Sequence, residues 1–313
     1  MIPVLMLIFL LAMPSVSIQG ASSGLLLWFN VVLPTLAPFM ICTQLVTMFG
    51  GMEFLMRPFA PLFRCLFGLS LSGGYVLLCG LLCGYPLGAR LCADFCHRGQ
   101  ITETEAKYLL SICNHPSPMF LLGYVRSQLP AHVPALLVPL CLYLPVIPLS
   151  WISRMFYQAA TVDSIQDPTS FRDSKRLSLE EIFMSTCDTL VVIGCYIMLF
   201  SILAAWIDVI PFLSQKGQAL ISGICEITTG VHKVCACKAF SSPLLPVIAV
   251  VSFGGLSGIF QTKSVIQALS RTNPESGNAK NAGLSIRHYL FWKLLHLTFS
   301  CITFLLLQPA LLP

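Results

Sequence analysis

The sequence predicts an all-α polytopic membrane protein, and three observations carry that prediction. Of 313 residues, 56% are hydrophobic and only 10% are charged, where a soluble globular chain carries roughly 25% charged residues. No charged residue occurs before Glu53. Uncharged stretches then run over Cys65–Ala89, Ser127–Ser153, Thr189–Ile207, Ala239–Thr262 and Leu294–Pro313, each long enough to supply the roughly 17–25 residues of a spanning helix. A mean hydropathy of +0.82 agrees. The lipid bilayer is thus the expected surroundings.

Taken in order, residues 2–19 read as a first membrane helix. The run resembles a signal-peptide core in hydropathy, but no basic segment precedes it, so an uncleaved helix is expected over 1–19. Residues 24–51 form a second apolar element, expected to be interrupted at Pro34 and Pro38, because neither proline can donate a helical hydrogen bond. "MEFLMRPFAPLFRCLFGL" (52–69) mixes Arg57 and Arg64 with four phenylalanines, which suits a helix lying in the interface or a short helix between spans. Residues 71–95 are apolar and glycine-rich. In the polar connector 97–110, Thr102 with Glu105 predicts a capping box. Residues 132–157 give another span, and 158–180 the longest polar loop.

The second half has a span at 182–206, an apolar segment with Gly and Thr at 218–236, and a long apolar run at 241–270. A polar loop over 271–287 and a helix over 288–308 close the chain. Asp188 reads as a solvated or first-turn carboxylate.

The net charge of +5 is modest and gives no signature of nucleic-acid binding. Basic residues gather in three loops: Arg90, Arg98 and Lys107; Arg154, Arg172, Lys175 and Arg176; Arg271, Lys280, Arg287 and Lys293. The positive-inside rule places these loops in the cytoplasm. The 14 cysteines sit mostly in apolar stretches without a Cys-x-x-Cys pair. They read as small packing residues, not as metal ligands, and no cofactor is expected. Zinc-protease, nucleophile-elbow and P-loop signatures are absent, so the chain is not expected to be an enzyme or to hydrolyse a nucleotide.

The two halves echo each other as two weakly similar repeats. "CGYPLGARLCA" (83–93) aligns with "CEITTGVHKVC" (225–235), and "SPMF" (117–120) with "SGIF" (257–260). Paired interruptions in apolar segments point to a binding site in transporter-like folds, because lipid cannot satisfy the backbone groups they free. Gly80 and Gly88, taken alone, read as helix-packing positions. The candidate site residues are Gly84, Tyr85, Pro86 and Gly88, then Asn114, His115 and Ser117. The second half contributes Glu226, Thr228, Thr229, Gly254, Gly255, Ser257 and Gln261, with Thr262 beside the last. Glu226 is the one carboxylate of the stretch from Gly217 to Val231. Such a group is a functional candidate, as an acceptor for a coupling proton, a cation or a ligand. Its alternative is a structural pairing with His232 or Lys233.

At these residues the chain resembles a known family. "GLLLWFNVVLPTLAPF", "GYPLGAR", "ITETEAKYLL", "CNHPSPMFLLG", "GICEITTGV" and "SFGGLSGIFQTKSV" are similar to the YlbJ family of sporulation integral membrane proteins, within the nucleoside-recognition (Gate) domain group. The resemblance covers about 20–310. It implies a multi-pass protein of a bacterial inner membrane, with two Gate-type repeats containing re-entrant helical hairpins. The first repeat and its following span cover 20–157 and the second 181–270, with a loop and the C-terminal helix over 271–313. The resemblance also implies a role in spore formation. Two functions fit: a secondary transporter or channel-like protein for a small polar, nucleoside-like solute, or a non-transporting membrane component of a sporulation assembly or signalling step. At Asn114-His115-Pro116-Ser117-Pro118 the chain departs from the family pattern of Asn, a small polar residue, Gly and Pro.

Overall fold

The computed structural model describes residues 2–158, 178–271 and 284–311, which are helical without strands. A short helix α1 (Ile2–Ala12) meets α2 (Pro14–Met48), and α3 (Met52–Met56) and α4 (Ala60–Phe67) follow. Helices α5 (Leu71–Cys83), α6 (Leu87–His97) and α7 (Glu103–Ile112) lead to a break, then to α8 over 118–128 with a π-helical stretch at Phe120–Val125. Next comes α9 (Leu137–Tyr157). The second half holds α10 (Leu179–Asp208), α11 (Gln215–Cys225), α12 (Ile227–Ala236), α13 (Leu244–Phe253), α14 (Gly255–Arg271) and α15 (Ile286–Leu311). Among the described residues five helical segments are long and apolar enough to cross a membrane, or six if the bent pair α4–α5 is one span; the two helices meet at 92°.

The N-terminal expectation is corrected. The break falls at Met13 (φ −131°, ψ 62°), because the residue before a proline is pushed out of the α region and Pro14 opens the next helix. At 11 residues, α1 is too short to span. Pro34 and Pro38 do not interrupt α2. Trp28–Val32 is π-helical, and Leu33 N–H donates to Trp28 O. The Thr35 hydroxyl answers the carbonyls of Val31 and Val32 at 2.8 and 3.0 Å. Side-chain bonds and register shifts of this kind let a membrane helix absorb proline. The 35 residues of α2 reach roughly 50 Å at 1.5 Å per residue, well beyond the hydrocarbon core.

Helix α10 lies along α2, joined by small residues and two indoles. Trp28 Nε1 donates to Leu190 O and Trp206 Nε1 to Ser17 Oγ, both at 2.9 Å. The capping box expected at Thr102 forms only half. Thr102 accepts from Glu105 N–H at 3.1 Å, but the Glu105 carboxylate accepts from Ser70 N–H at 2.9 Å, clamping the start of α5 to α7. A complete box occurs instead at Ser178 and Glu181. Asp188 is exposed, well past the first turn of α10.

The basic loops are also partly corrected. Arg90 lies on α6 and donates to Ser185 O at 3.2 Å and to the hydroxyls of Ser185 and Thr189. Lys293 is 3% exposed inside α15. Lys280, Arg172, Lys175 and Arg176 fall outside the described residues.

Two helix pairs, α5–α6 and α11–α12, fold back on themselves across short breaks. Each is packed at glycine. A Cβ at Gly88 would fall on the Cys113 carbonyl oxygen, and one at Gly230 on Gly223 Cα. Backbone cannot yield as a side chain can. Gly88→Ala and Gly230→Ala are therefore each expected to destabilise the protein by at least about 1–3 kcal/mol, seen as a lower melting temperature in detergent. Gly123, whose added Cβ meets open space, is the control: Gly123→Ala leaves the melting temperature unchanged or higher.

Candidate functional site

The breaks meet at one cavity. It encloses roughly 510 Å³ of non-atom space, its open mouth included. The first half contributes Gly84, Tyr85, Pro116, Ser117 and Phe120; the second contributes Glu226, Thr228, Ser257, Gly258 and Gln261. Helix α2 adds Val32, Thr35 and Leu36, and α10 adds Ile197. Nothing in the sequence marks these last four, whose apolar surroundings make them look like ordinary lipid-facing or core positions.

Each break has a local cause. Gly84 takes φ 84°, ψ −175°, a conformation open essentially only to glycine, and the Tyr85–Pro86 bond is cis. After α7, Pro116 and Pro118 supply no N–H, and the chain runs non-helically through 114–117. Glu226 is extended (φ −147°, ψ 129°) and ends α11 while capping α12. Gly254 and Gly255 both have positive φ, 79° and 71°, and separate α13 from α14.

The backbone groups freed at these breaks have partners. Tyr85 N–H donates to His115 O at 3.0 Å. The Tyr143 hydroxyl donates to Pro116 O at 2.7 Å, and the Tyr124 hydroxyl to Thr228 O at 2.8 Å. Tyrosines from other elements thus hold the broken ends open to the cavity without leaving polar groups stranded.

Glu226 is 1% exposed and lines the cavity. One carboxylate oxygen accepts from Thr229 N–H at 2.7 Å and from the Thr228 hydroxyl. The structural alternative for Glu226 does not form. Lys233 is taken by Asp208 (2.7 Å), Ala204 O (2.8 Å) and Ser222 (2.9 Å), and His232 sits 3.1 Å from Gln128. Gln261 donates to Ser257 at 2.8 Å, so the polar wall opposite Glu226 is itself bonded and oriented.

Other expected residues lie off the cavity. Asn114 accepts from Ala89 N–H at 3.3 Å and donates to Thr262 and Tyr289, both at 2.9 Å. Its amide joins α6, α14 and α15. Gly88 is a packing position. Thr229 serves through its backbone, and Gly255 lies against the backbone of residues 225–227. Gly254 backs Tyr85. His115 is buried away from the cavity lining, beside His296. Two buried ionisable residues were not among those expected, Lys293 and His296. His296 had a visible signal, as the one ionisable residue of the closing apolar run.

Over a 297-residue alignment covering 83% of this chain and 72% of the relative, the sequence is 27% identical to the sporulation integral membrane protein YlbJ of Bacillus subtilis (strain 168). No protein-family profile matches it, and no solved structure is similar to it. Similar to an integral membrane protein of a bacterium, and with five helices of spanning length and apolarity among its described residues, the chain is a multi-pass protein of a bacterial cell membrane.

The Asn114 joint gives a direct test. Removing the amide strands the Ala89 N–H and takes one hydrogen bond each from the Thr262 and Tyr289 hydroxyls in an apolar interior, and a buried unsatisfied group costs about 1–3 kcal/mol. Asn114→Ala is expected to lower the melting temperature and the yield of folded protein more than Ser117→Ala at the cavity wall.

Proposed function

We propose that this protein acts in spore formation by binding a small polar solute in the cavity and moving it across the membrane, as a secondary transporter or channel-like protein and not as an enzyme. The observation that carries the reading is the convergence of interrupted backbone from both halves on one mainly apolar cavity that holds a few polar groups, Glu226, Thr228, Ser257 and Gln261 among them. A scaffold has no need of such breaks, which give up helical hydrogen bonds inside a membrane. The relative's name supports the biological setting. The resemblance to the Gate group supports two repeats with re-entrant hairpins, α5–α6 and α11–α12, and a nucleoside-like class of solute.

In this reading Glu226, Ser257, Gln261 and Thr228 meet the polar groups of the solute, and Tyr85 and Phe120 offer ring faces to a planar base. Nucleic acid plays no part.

The test is thermal stabilisation of the purified protein by uridine, adenosine, sugars and amino acids, followed by uptake into proteoliposomes. At least one solute is expected to stabilise the protein and to be taken up. Glu226→Gln keeps an acceptor for the cap of α12, so it should fold normally while weakening solute binding about tenfold or more, the loss of one charge-assisted hydrogen bond of 1.5–3 kcal/mol. No stabilisation and no flux for any solute, with a protein partner recovered instead, would favour the non-transporting component.

A further inference from the structure

Helix α15 carries two ionisable residues outside the cavity lining. Lys293 and His296 are 3% and 0% exposed. Lys293 Nζ, His296 Nδ1 and both ring nitrogens of His115 make no hydrogen bond of ordinary geometry among the described residues; the Ile112 backbone lies near His115 and that of Ser252 near His296. His296 Nε2 stands 2.8 Å from Leu142 O. In the neutral ring that nitrogen carries the proton, which leaves Nδ1 as a bare acceptor. The His115 and His296 rings are 4.2 Å apart, tilted by 42°. Lys293 Nζ lies 5.7 Å from the Tyr85 ring centroid and 5.9 Å from that of Tyr289. These three bases, one from the 113–117 break and two from α15, form one cluster.

Few charges face it. The break adds Cys113 near Lys293, and α15 itself adds Tyr289. The first hairpin adds Tyr85, within reach of Glu226. Helices α13 and α9 present the Ser252 and Leu142 carbonyls to His296; on α9, Cys141 faces Cys301, Tyr157 meets Trp292, and Arg154 lies by Gly68 and Tyr108. On α14, Lys263 lies over Phe260. On α7, Glu105 is bonded to Ser70, and Lys107 to Glu103. Among the described residues no carboxylate is bonded to Lys293.

Buried bases without a counter-charge change protonation as their surroundings change, and ionisable groups within a membrane protein commonly belong to ion or proton paths. A proton needs no room, and so suits rings packed this closely. We propose that Lys293, His115 and His296 form a proton-binding site, and that Tyr85, which touches both this cluster and the cavity, couples its protonation to solute binding. The coupling rests on the solute-binding reading above; the proton site stands without it.

The first experiment uses no solute. Wild type, Lys293→Met, His115→Gln and His296→Gln are melted in detergent from about pH 5 to 9. The difference in melting temperature between wild type and Lys293→Met is expected to change by roughly 2–4 °C across that range, with a pH-dependent difference for at least one histidine variant. Profiles separated only by a constant offset overturn the site. If Lys293→Met does not fold, the two histidine variants carry the same reading. Loss in Lys293→Met of stabilisation by inorganic phosphate or chloride, with no pH-dependent difference, also overturns it and makes the cluster an anion site. The second experiment follows uridine uptake into proteoliposomes over the same range. Loss of its pH dependence in Lys293→Met supports the coupling, and an unchanged dependence overturns it. A pH-dependent melting difference without uridine flux upholds the proton site and counts against solute transport alone.

Discussion

Every backbone N–H and C=O that leaves a helix inside a bilayer must find a partner in the protein, because lipid offers none. The structure around the cavity follows from that requirement. Tyr143 and Tyr124 reach across from α9 and α8 to the carbonyls of Pro116 and Thr228, and the Tyr85 amide closes on His115 O. Each contact fixes a broken end to another element, and the bond from Tyr124 to Thr228 O also joins the two halves. The cavity is the space those staples leave.

The same requirement explains how charge is handled. Lys233 spends its ammonium on Asp208, Ser222 and the Ala204 carbonyl, which ties the second hairpin to the end of α10. Arg90 does the corresponding work for the first hairpin, through Ser185 and Thr189. With Lys233 held elsewhere, Glu226 keeps its carboxylate for the N-terminus of α12 and for the cavity.

Much of this was legible in the residues themselves. Apolar runs give the helices, and Gly84, Pro116, Gly254 and Gly255 mark breaks through their own backbone limits. Glu226 stands out as a lone carboxylate in an uncharged stretch. What escaped the sequence depends on partners or on register. The π-helical turn before Pro34 is a shift in hydrogen bonding that leaves no residue pattern. Glu105 abandons its local cap for Ser70, 35 residues away. Asn114 looked like a ligand-binding amide, but its partners Thr262 and Tyr289 lie 148 and 175 positions along the chain. Lys293 reads as a loop residue because a charge commonly marks the edge of an apolar run, whereas the helix continues on both sides of it.

The Asn114 amide also bears on how the protein can change shape. Three hydrogen bonds in an apolar setting tie the 113–117 tip to α6, α14 and α15 at one point. The joint therefore spans both halves of the chain, fastening the first half's tip to helices that follow Gly255.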